Sequence, residues 1–208
     1  MKYHSYIPSE GHGLRHDPFN AIVAPRPIGW ISTISASGVR NLAPYSFFNA
    51  FNYHPPIVGF SSIGWKDSVR NISETGVFGW NLATFDLAKA MNTSAAEVAA
   101  DVDEFTLAGL EAKPADVIPA PLVAHCAVAF ECRLTKIIRL ETASGQEIDS
   151  WLTLGEVVKV HIDSAFIKDG IYDTAGPRPI LRGGGPADYF VIDDAAKFAM
   201  LRPGATGG

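Results

Sequence analysis

A lysine and three serines lie close together before and at the start of a predicted helix. Ser61 and Ser62 end an apolar run, and Lys66 and Ser68 follow on either side of Asp67. The free backbone N–H groups and the dipole at a helix N-terminus favour an anion, and a lysine ammonium is a compact charge that suits a phosphate. The segment therefore predicts a phosphate site. The alternative is a simple helix cap with a solvated lysine.

A second segment, Pro44–Asn49, places two aromatic side chains next to a serine. Its backbone could follow the edge of a flat heterocycle around Ser46 while the ring of Phe47 packs against it. The alternative is an aromatic corner of the core. Upstream, Thr33 ends an apolar run and could add a hydroxyl to one wall of the same pocket, or could belong to an ordinary strand.

Short apolar runs separated by Gly and Pro dominate the chain, which favours a β-barrel over a doubly wound α/β fold. Ser35–Gly38 is typical of a hairpin turn. A helix is predicted over Asp67–Glu74, with Asp67 as its N-cap and Gly76 as its stop. The predicted strands are Ile28–Ile34, Val39–Asn41, Ile57–Ser61, Val77–Leu82, Leu122–Leu134, Lys136–Glu141 and Gly155–Ile162.

Residues 84–112 change to a helical pattern and are predicted to be an insertion between β segments. Phe85–Met91 has apolar residues at helical spacing. Ser94 to Glu97 matches a capping box, which predicts the start of a second helix, and Asp103–Leu110 predicts a third helical turn. These helices could either cover the barrel or shape a substrate pocket.

Five motifs occur in one order between residues 33 and 82, and together they resemble the flavin reductase-like family, the FMN-binding split barrels. A looser similarity continues through the His161-Ile-Asp segment and the Arg182-Gly-Gly ending. One departure is Trp80, a bulky residue where many relatives carry small β-branched ones; it could narrow the pocket or serve only as core. The motifs are Thr33, Asn41–Phe48, Pro55-Pro56 to Phe60-Ser61, Lys66-Asp67-Ser68 and Thr75-Gly76 to Asn81-Leu82.

The resemblance implies a mainly β, six-stranded Greek-key split barrel with peripheral helices. It also implies bound FMN and a homodimer with the flavin near the subunit interface. Carried over to this sequence, it implies that the FMN phosphate is held by Ser61, Lys66 and Ser68, with Ser62 beside them. It implies that the isoalloxazine is lined by Ser46 and Phe47 and contacted at its polar edge by Thr33, with Asn81 and Arg182 as further contacts.

The function implied by this resemblance is an NAD(P)H:flavin oxidoreductase, with NADH or NADPH as donor, that could supply reduced flavin to a partner monooxygenase. The alternatives are a flavoredoxin-like FMN electron-transfer protein without nicotinamide activity, a split barrel with another substrate or haem, and a barrel that has lost its cofactor. Flavin itself accepts the hydride, so no catalytic side chain is required. His161 is a candidate near the flavin, or an ordinary strand residue; His12 and His16 could fold over the cleft, or lie on a mobile arm.

Composition and charge limit the classes of partner and the compartment that we expect for this chain. The net charge is −5 and Lys and Arg form no basic run, which argues against nucleic acid. Cys126 and Cys132 predict free buried thiols, as expected in a reducing cytoplasm. No signal peptide or membrane span is visible, and no His, Asp or Glu spacing predicts a metal site. We expect one cytoplasmic domain over residues 1–208, with an N-terminal arm at 1–20 and a frayed tail at 203–208.

Overall fold

The computed structural model describes residues 1–201 and 203, so most of the predicted frayed tail lies outside the described residues. The described chain is mainly β, with four short α-helices. The helices are α1 Phe19–Ile22, α2 Asp67–Thr75, α3 Ala88–Thr93 and α4 Glu104–Leu107. The strands are β1 Arg26–Pro27, β2 Gly29–Ile34, β3 Arg40–Tyr45, β4 Phe48–Asn52, β5 Ile57–Ile63, β6 Val77–Asn81, β7 Ala112–Lys113, β8 Leu122–Val123, β9 Val128–Glu141, β10 Glu147–Ile162, β11 Ile167–Lys168, β12 Ile171–Tyr172, β13 Ile180–Arg182 and β14 Tyr189–Val191.

The main sheet has seven antiparallel strands in the order β3-β2-β6-β9-β10-β5-β4, one more than the six that the family resemblance implied. Strand β4, which pairs with β5, was not among the strands predicted from the sequence, and the two strands predicted over Leu122–Leu134 and Lys136–Glu141 are largely the single strand β9. The sheet curls so far that β2 meets β4: a Cβ on Gly29 would lie 2.8 Å from Cδ2 of Phe48. Glycine at this position therefore allows the close approach.

Large apolar side chains fill the inside of the curled sheet. Phe60 and Phe78 are fully buried, and each contributes roughly 1.5–3 kcal/mol relative to an exposed side chain. Trp80 belongs to the same cluster, stacks on the ring of Phe48 at 5.6 Å and donates from Nε1 to the Ile28 carbonyl. Trp80 is therefore a core residue, and its indole N–H is satisfied.

Helix α2 closes one end of this core. Val69 and Ile72 are fully buried against it. The helix ends at Gly76, which has φ +73° and confirms the predicted stop. Its N-cap is Lys66 rather than the predicted Asp67, which is the first helical residue.

The predicted helical insertion covers the outer face of β2 and β3. Met91 of α3 and Phe105 of α4 pack there against Trp30. The predicted helix start at Ser94 is wrong, because Ser94 closes α3 instead: its hydroxyl donates to the Met91 carbonyl and accepts from Nε1 of Trp30. Within the described residues, none of the helices is long and apolar enough to cross a membrane.

Candidate cofactor site

A cleft of about 290 Å³ lies at the N-terminus of α2, between β3 and residues 94–98. Lys66 lines it with 57% of its side chain exposed; Oε1 of Glu97 is 4.0 Å from its Nζ. No side chain of the described residues caps the N-terminus of α2. The cleft therefore offers a lysine and free backbone N–H groups to an anion.

Behind this cleft, the predicted hydroxyls form a buried network. Oγ of Ser68 accepts from Nδ2 of Asn41 at 3.0 Å, and the Ser62 hydroxyl donates to the Gly64 carbonyl at 2.9 Å. Burial raises the pKa of Tyr45, and its hydrogen bonds to Ser68 and Ser62 oppose that rise. These contacts fix the start of α2, and Ser68 also lines the cleft.

Two acidic side chains also border the cleft. Asp67 pairs with Arg70, with 2.6 Å between Oδ1 and NH1. Glu104 is buried, and its Oε2 accepts from the Leu42 N–H at 3.1 Å. Burial raises the pKa of Glu104, and the nearby charge of Asp67 adds to the rise, while the Leu42 hydrogen bond opposes it. A neutral Glu104 would weaken the repulsion of an anion in this cleft.

A second cavity, of about 480 Å³ and mostly apolar, lies at the other end of the 44–49 segment. It is lined by Phe47, Ser61 and Leu152 among others. The Ser61 N–H donates to the Phe47 carbonyl at 2.8 Å, and the Ser61 hydroxyl lies 3.2 Å from Oγ of Ser150. The flank of Phe47 gives this cavity a flat aromatic wall.

Two predicted site residues hold the barrel together and line neither cavity. Oγ1 of the buried Thr33 accepts from Nδ2 of Asn71 at 3.1 Å. The Asn81 amide donates to the Trp30 carbonyl at 3.1 Å and accepts from the Val123 N–H at 2.8 Å. Both side chains are buried and hydrogen-bonded within the core.

Arg182 lies on β13, beside the glycine-rich turn. Its NH1 and NH2 atoms donate to four carbonyls of that turn, at Gly184, Gly185, Pro186 and Asp188. Its cross-strand partner on β1 is Arg26, which the sequence reasoning missed. Arg26 lines the second cavity and donates from Nε to the Ser46 carbonyl at 3.1 Å. A charged residue between two prolines, directly before an apolar strand, was the signal available in the sequence.

His161 lies on β10, nine residues after Leu152. It lines neither the cleft at α2 nor the second cavity. Its Nε2 is 2.7 Å from Oε1 of the fully buried Glu131. The His161 ring serves there as the partner of a buried carboxylate.

Glu131 joins the residues 116–117 to the sheet. Burial by itself would raise the pKa of Glu131, but hydrogen bonds from the Asp116 and Val117 N–H groups and from His161 outweigh it, so the pKa is lowered. Asp116, Glu131 and His161 bring possible ligand atoms within 4.8 Å of one another, a cluster that sequence spacing did not reveal. Lys159 binds the Asp116 carboxylate and supplies a cation to this cluster.

Residues 23–180 match the model of the flavin reductase like domain. The chain belongs to the flavin reductase-like family. It is 32% identical over 176 residues to an uncharacterised protein of Aquifex aeolicus strain VF5, a match that covers 82% of this chain and 85% of that protein.

Solved structures confirm the predicted split-barrel fold. Nitrilotriacetate monooxygenase component B of Bacillus cereus matches with a TM-score of 0.85 and 28% identity, covering 96% of this chain and 100% of that one. The flavoredoxin of Desulfovibrio vulgaris (Miyazaki F) matches with a TM-score of 0.76 and 18% identity over 92% of this chain and 99% of that one, a similarity of fold.

Proposed function

We infer that this protein is an FMN-binding oxidoreductase that passes hydride from NADH or NADPH to flavin. The observation that carries this proposal is the position of the 44–49 segment, which borders a cleft with Lys66 and the N-terminus of α2 at one end and an aromatic-walled cavity at the other. A ligand with a phosphate at one end and a flat ring system at the other matches that arrangement. Membership of the flavin reductase-like family supports flavin as the ligand.

In the proposed complex, Lys66 and the N-terminus of α2 hold the phosphate, with Ser68 at the floor of the cleft. Their fit rests on the uncapped helix end and on the exposed ammonium of Lys66. Phe47 and Ser61 line the second cavity and would lie along the ring system, where Phe47 would supply a packing surface. Ser46 precedes Phe47 and lines neither cavity; the backbone of the segment would supply polar contacts. Bound flavin would supply the site for hydride acceptance. The protein's part is to orient and desolvate the ring.

We infer a homodimer and a monooxygenase partner as further parts of this proposal. The edge strand β4 and the residues after it expose Phe51 and Tyr53, at 54% and 80%, and aromatic side chains are enriched at interfaces. The matched component B belongs to a monooxygenase system, which suggests delivery of reduced flavin to an oxygenase. Two free cysteines favour a reducing compartment, the cytoplasm.

The test is the visible spectrum of the purified protein with FMN, followed by anaerobic addition of NADH or NADPH. Bands of oxidised flavin that bleach within the mixing time support the proposal. Bound flavin that bleaches with neither nicotinamide, but does so with a protein donor, would replace the reductase by a flavoredoxin-like electron carrier. No binding of FMN in a titration would overturn the proposal altogether.

A further inference from the structure

Two arginines lie directly opposite each other beside the second cavity. Arg26 of β1 and Arg182 of β13 are cross-strand partners in register. Like charges in this position are destabilising, and Arg26 is only 8% exposed, so water screens its charge poorly. The juxtaposed charges of the pair therefore cost stability.

The hydrogen-bond donors of Arg26 are used, but its charge is not balanced. Nε donates to the Ser46 carbonyl, NH1 to the Val23 carbonyl at 2.7 Å and to that of Asn20, and NH2 to the Gly183 carbonyl at 3.3 Å. Among the residues that the structure describes, neither Arg26 nor Arg182 has a carboxylate within 4.0 Å.

The unbalanced charge faces the place where the flavin ring is proposed to lie. Arg26 lines the second cavity, and its Cζ is 5.6 Å from the centre of the Phe47 ring. Burial and the charge of Arg182 lower the pKa of Arg26 from its usual high value; an arginine nevertheless stays protonated at neutral pH. In apolar surroundings, a fixed cation acts on a nearby charge more strongly than it would in water.

We propose that Arg26, with Arg182 behind it, favours the reduced, negatively charged state of a flavin in this cavity over the oxidised, neutral state. The inference rests on the proposed function. Hydride from the nicotinamide delivers two electrons and one proton to the ring, and without a second proton one negative charge stays on it. Arg26 stabilises that charge at a distance and positions the ring by holding Ser46, so it is a positioning residue.

The experiment separates the charge of Arg26 from its hydrogen bonds. The midpoint potential of bound FMN and the Kd of oxidised FMN are measured for the wild type, Arg26→Lys and Arg26→Gln. We expect Arg26→Gln to lower the preference for reduced over oxidised FMN about tenfold, a fall of roughly 30 mV for a two-electron couple. Arg26→Lys keeps the charge and should retain the preference, although both variants should bind oxidised FMN less tightly.

Two further variants keep the test decisive. Arg182→Gln removes a charge on a residue that does not line the second cavity, so the potential should fall by a smaller amount. Arg178→Gln removes an exposed arginine that lies near Asp86, and it should leave the potential unchanged.

Equal shifts for Arg26→Lys and Arg26→Gln, or no shift for either, would overturn the electrostatic role. If Arg26→Gln does not fold, as judged by its melting curve, an unchanged potential in Arg182→Gln overturns it. A wild-type protein that binds no FMN would instead refute the proposed function itself.

Discussion

The barrel carries two clusters of charged side chains that differ in how their charges are balanced. Around Glu131, His161 lies at one carboxylate oxygen and Lys159 binds the neighbouring Asp116, so each anion has a partner. The second cluster, the cavity side, consists of Arg26 and Lys66. The buried Arg26 donates to carbonyls and lines the second cavity, and Lys66 lines the cleft at the N-terminus of α2.

This difference separates a structural cluster from the proposed binding region. A buried charge is costly unless it is paired and hydrogen-bonded, and Glu131 meets that condition with three donors. Arg26 has no carboxylate partner among the described residues and would gain one from an anionic ligand; Lys66 is exposed and already has Glu97 4.0 Å away, so a ligand phosphate would be a second anion beside it. We therefore expect substitutions in the first cluster to lower the stability of the fold, and substitutions on the cavity side to change the affinity or the midpoint potential of FMN.

Lys66→Ala gives the largest expected effect and tests the cavity side. The variant should bind FMN about ten- to a hundredfold more weakly, because a charge-assisted contact is worth roughly 1.5–3 kcal/mol. Riboflavin, which lacks the phosphate, should be affected much less. Fluorescence titration of both ligands measures the difference.

The matched control for this experiment is Lys136→Ala, an exposed lysine on β9 that lines neither cavity. It should leave both affinities unchanged. An equal loss for FMN and riboflavin in Lys66→Ala would show that Lys66 does not bind the phosphate.

Glu131→Gln tests the balanced cluster. An amide cannot accept at both ends, so one half-buried N–H of Asp116 or Val117 loses its acceptor, and unfolding should become easier by about 1 kcal/mol. Urea denaturation measures the change, with the exposed Glu141→Gln on the same strand as control. Unchanged stability would mean that Glu131 does not hold the 116–117 segment.

The pH dependence of that loss has a definite sign. Because the pKa of Glu131 is lowered in the folded protein, its ionised form stabilises the fold. The contribution is complete above the ordinary carboxyl pKa of 4.5 and disappears as the pH falls through the lower folded value. The stability gap between wild type and Glu131→Gln should therefore close below pH 4.5.

Local patterns predicted the cavity side better than they predicted the balanced cluster. Short apolar runs predicted β2, β5 and β6, and the Lys66 to Ser68 segment lies where its helix was expected, because those signals depend on neighbouring residues. The Glu131 cluster joins residues from 116 to 161 through strand pairing, so no spacing reveals it. Ser94 was misread because its partner, Trp30, is distant in sequence.

Glu104→Gln should stabilise the protein at neutral pH. The pKa of Glu104 is raised, so the ionised form is penalised in the folded state, while Gln keeps an oxygen for the Leu42 N–H. The gain should be about 0.5–1 kcal/mol well above the ordinary carboxyl pKa, and it should vanish as the pH falls below 4.5, where the wild-type carboxyl is protonated in both states. Melting curves at several pH values measure it; a gain that grows toward acid would contradict this account.

Glu97→Gln gives the smallest expected effect and sharpens the comparison at the surface. Glu97 is 94% exposed and lies 4.0 Å from the ammonium of Lys66, where it would compete with the phosphate of the proposed complex. Exposed pairs are weak and screened by salt, so FMN affinity should rise no more than about fivefold at low ionic strength and should not change at high salt. Glu111→Gln, another exposed carboxylate, is the control. A fall in FMN affinity would show that Glu97 helps to hold the ligand, and the 94–98 segment would then belong to the binding site rather than to its rim.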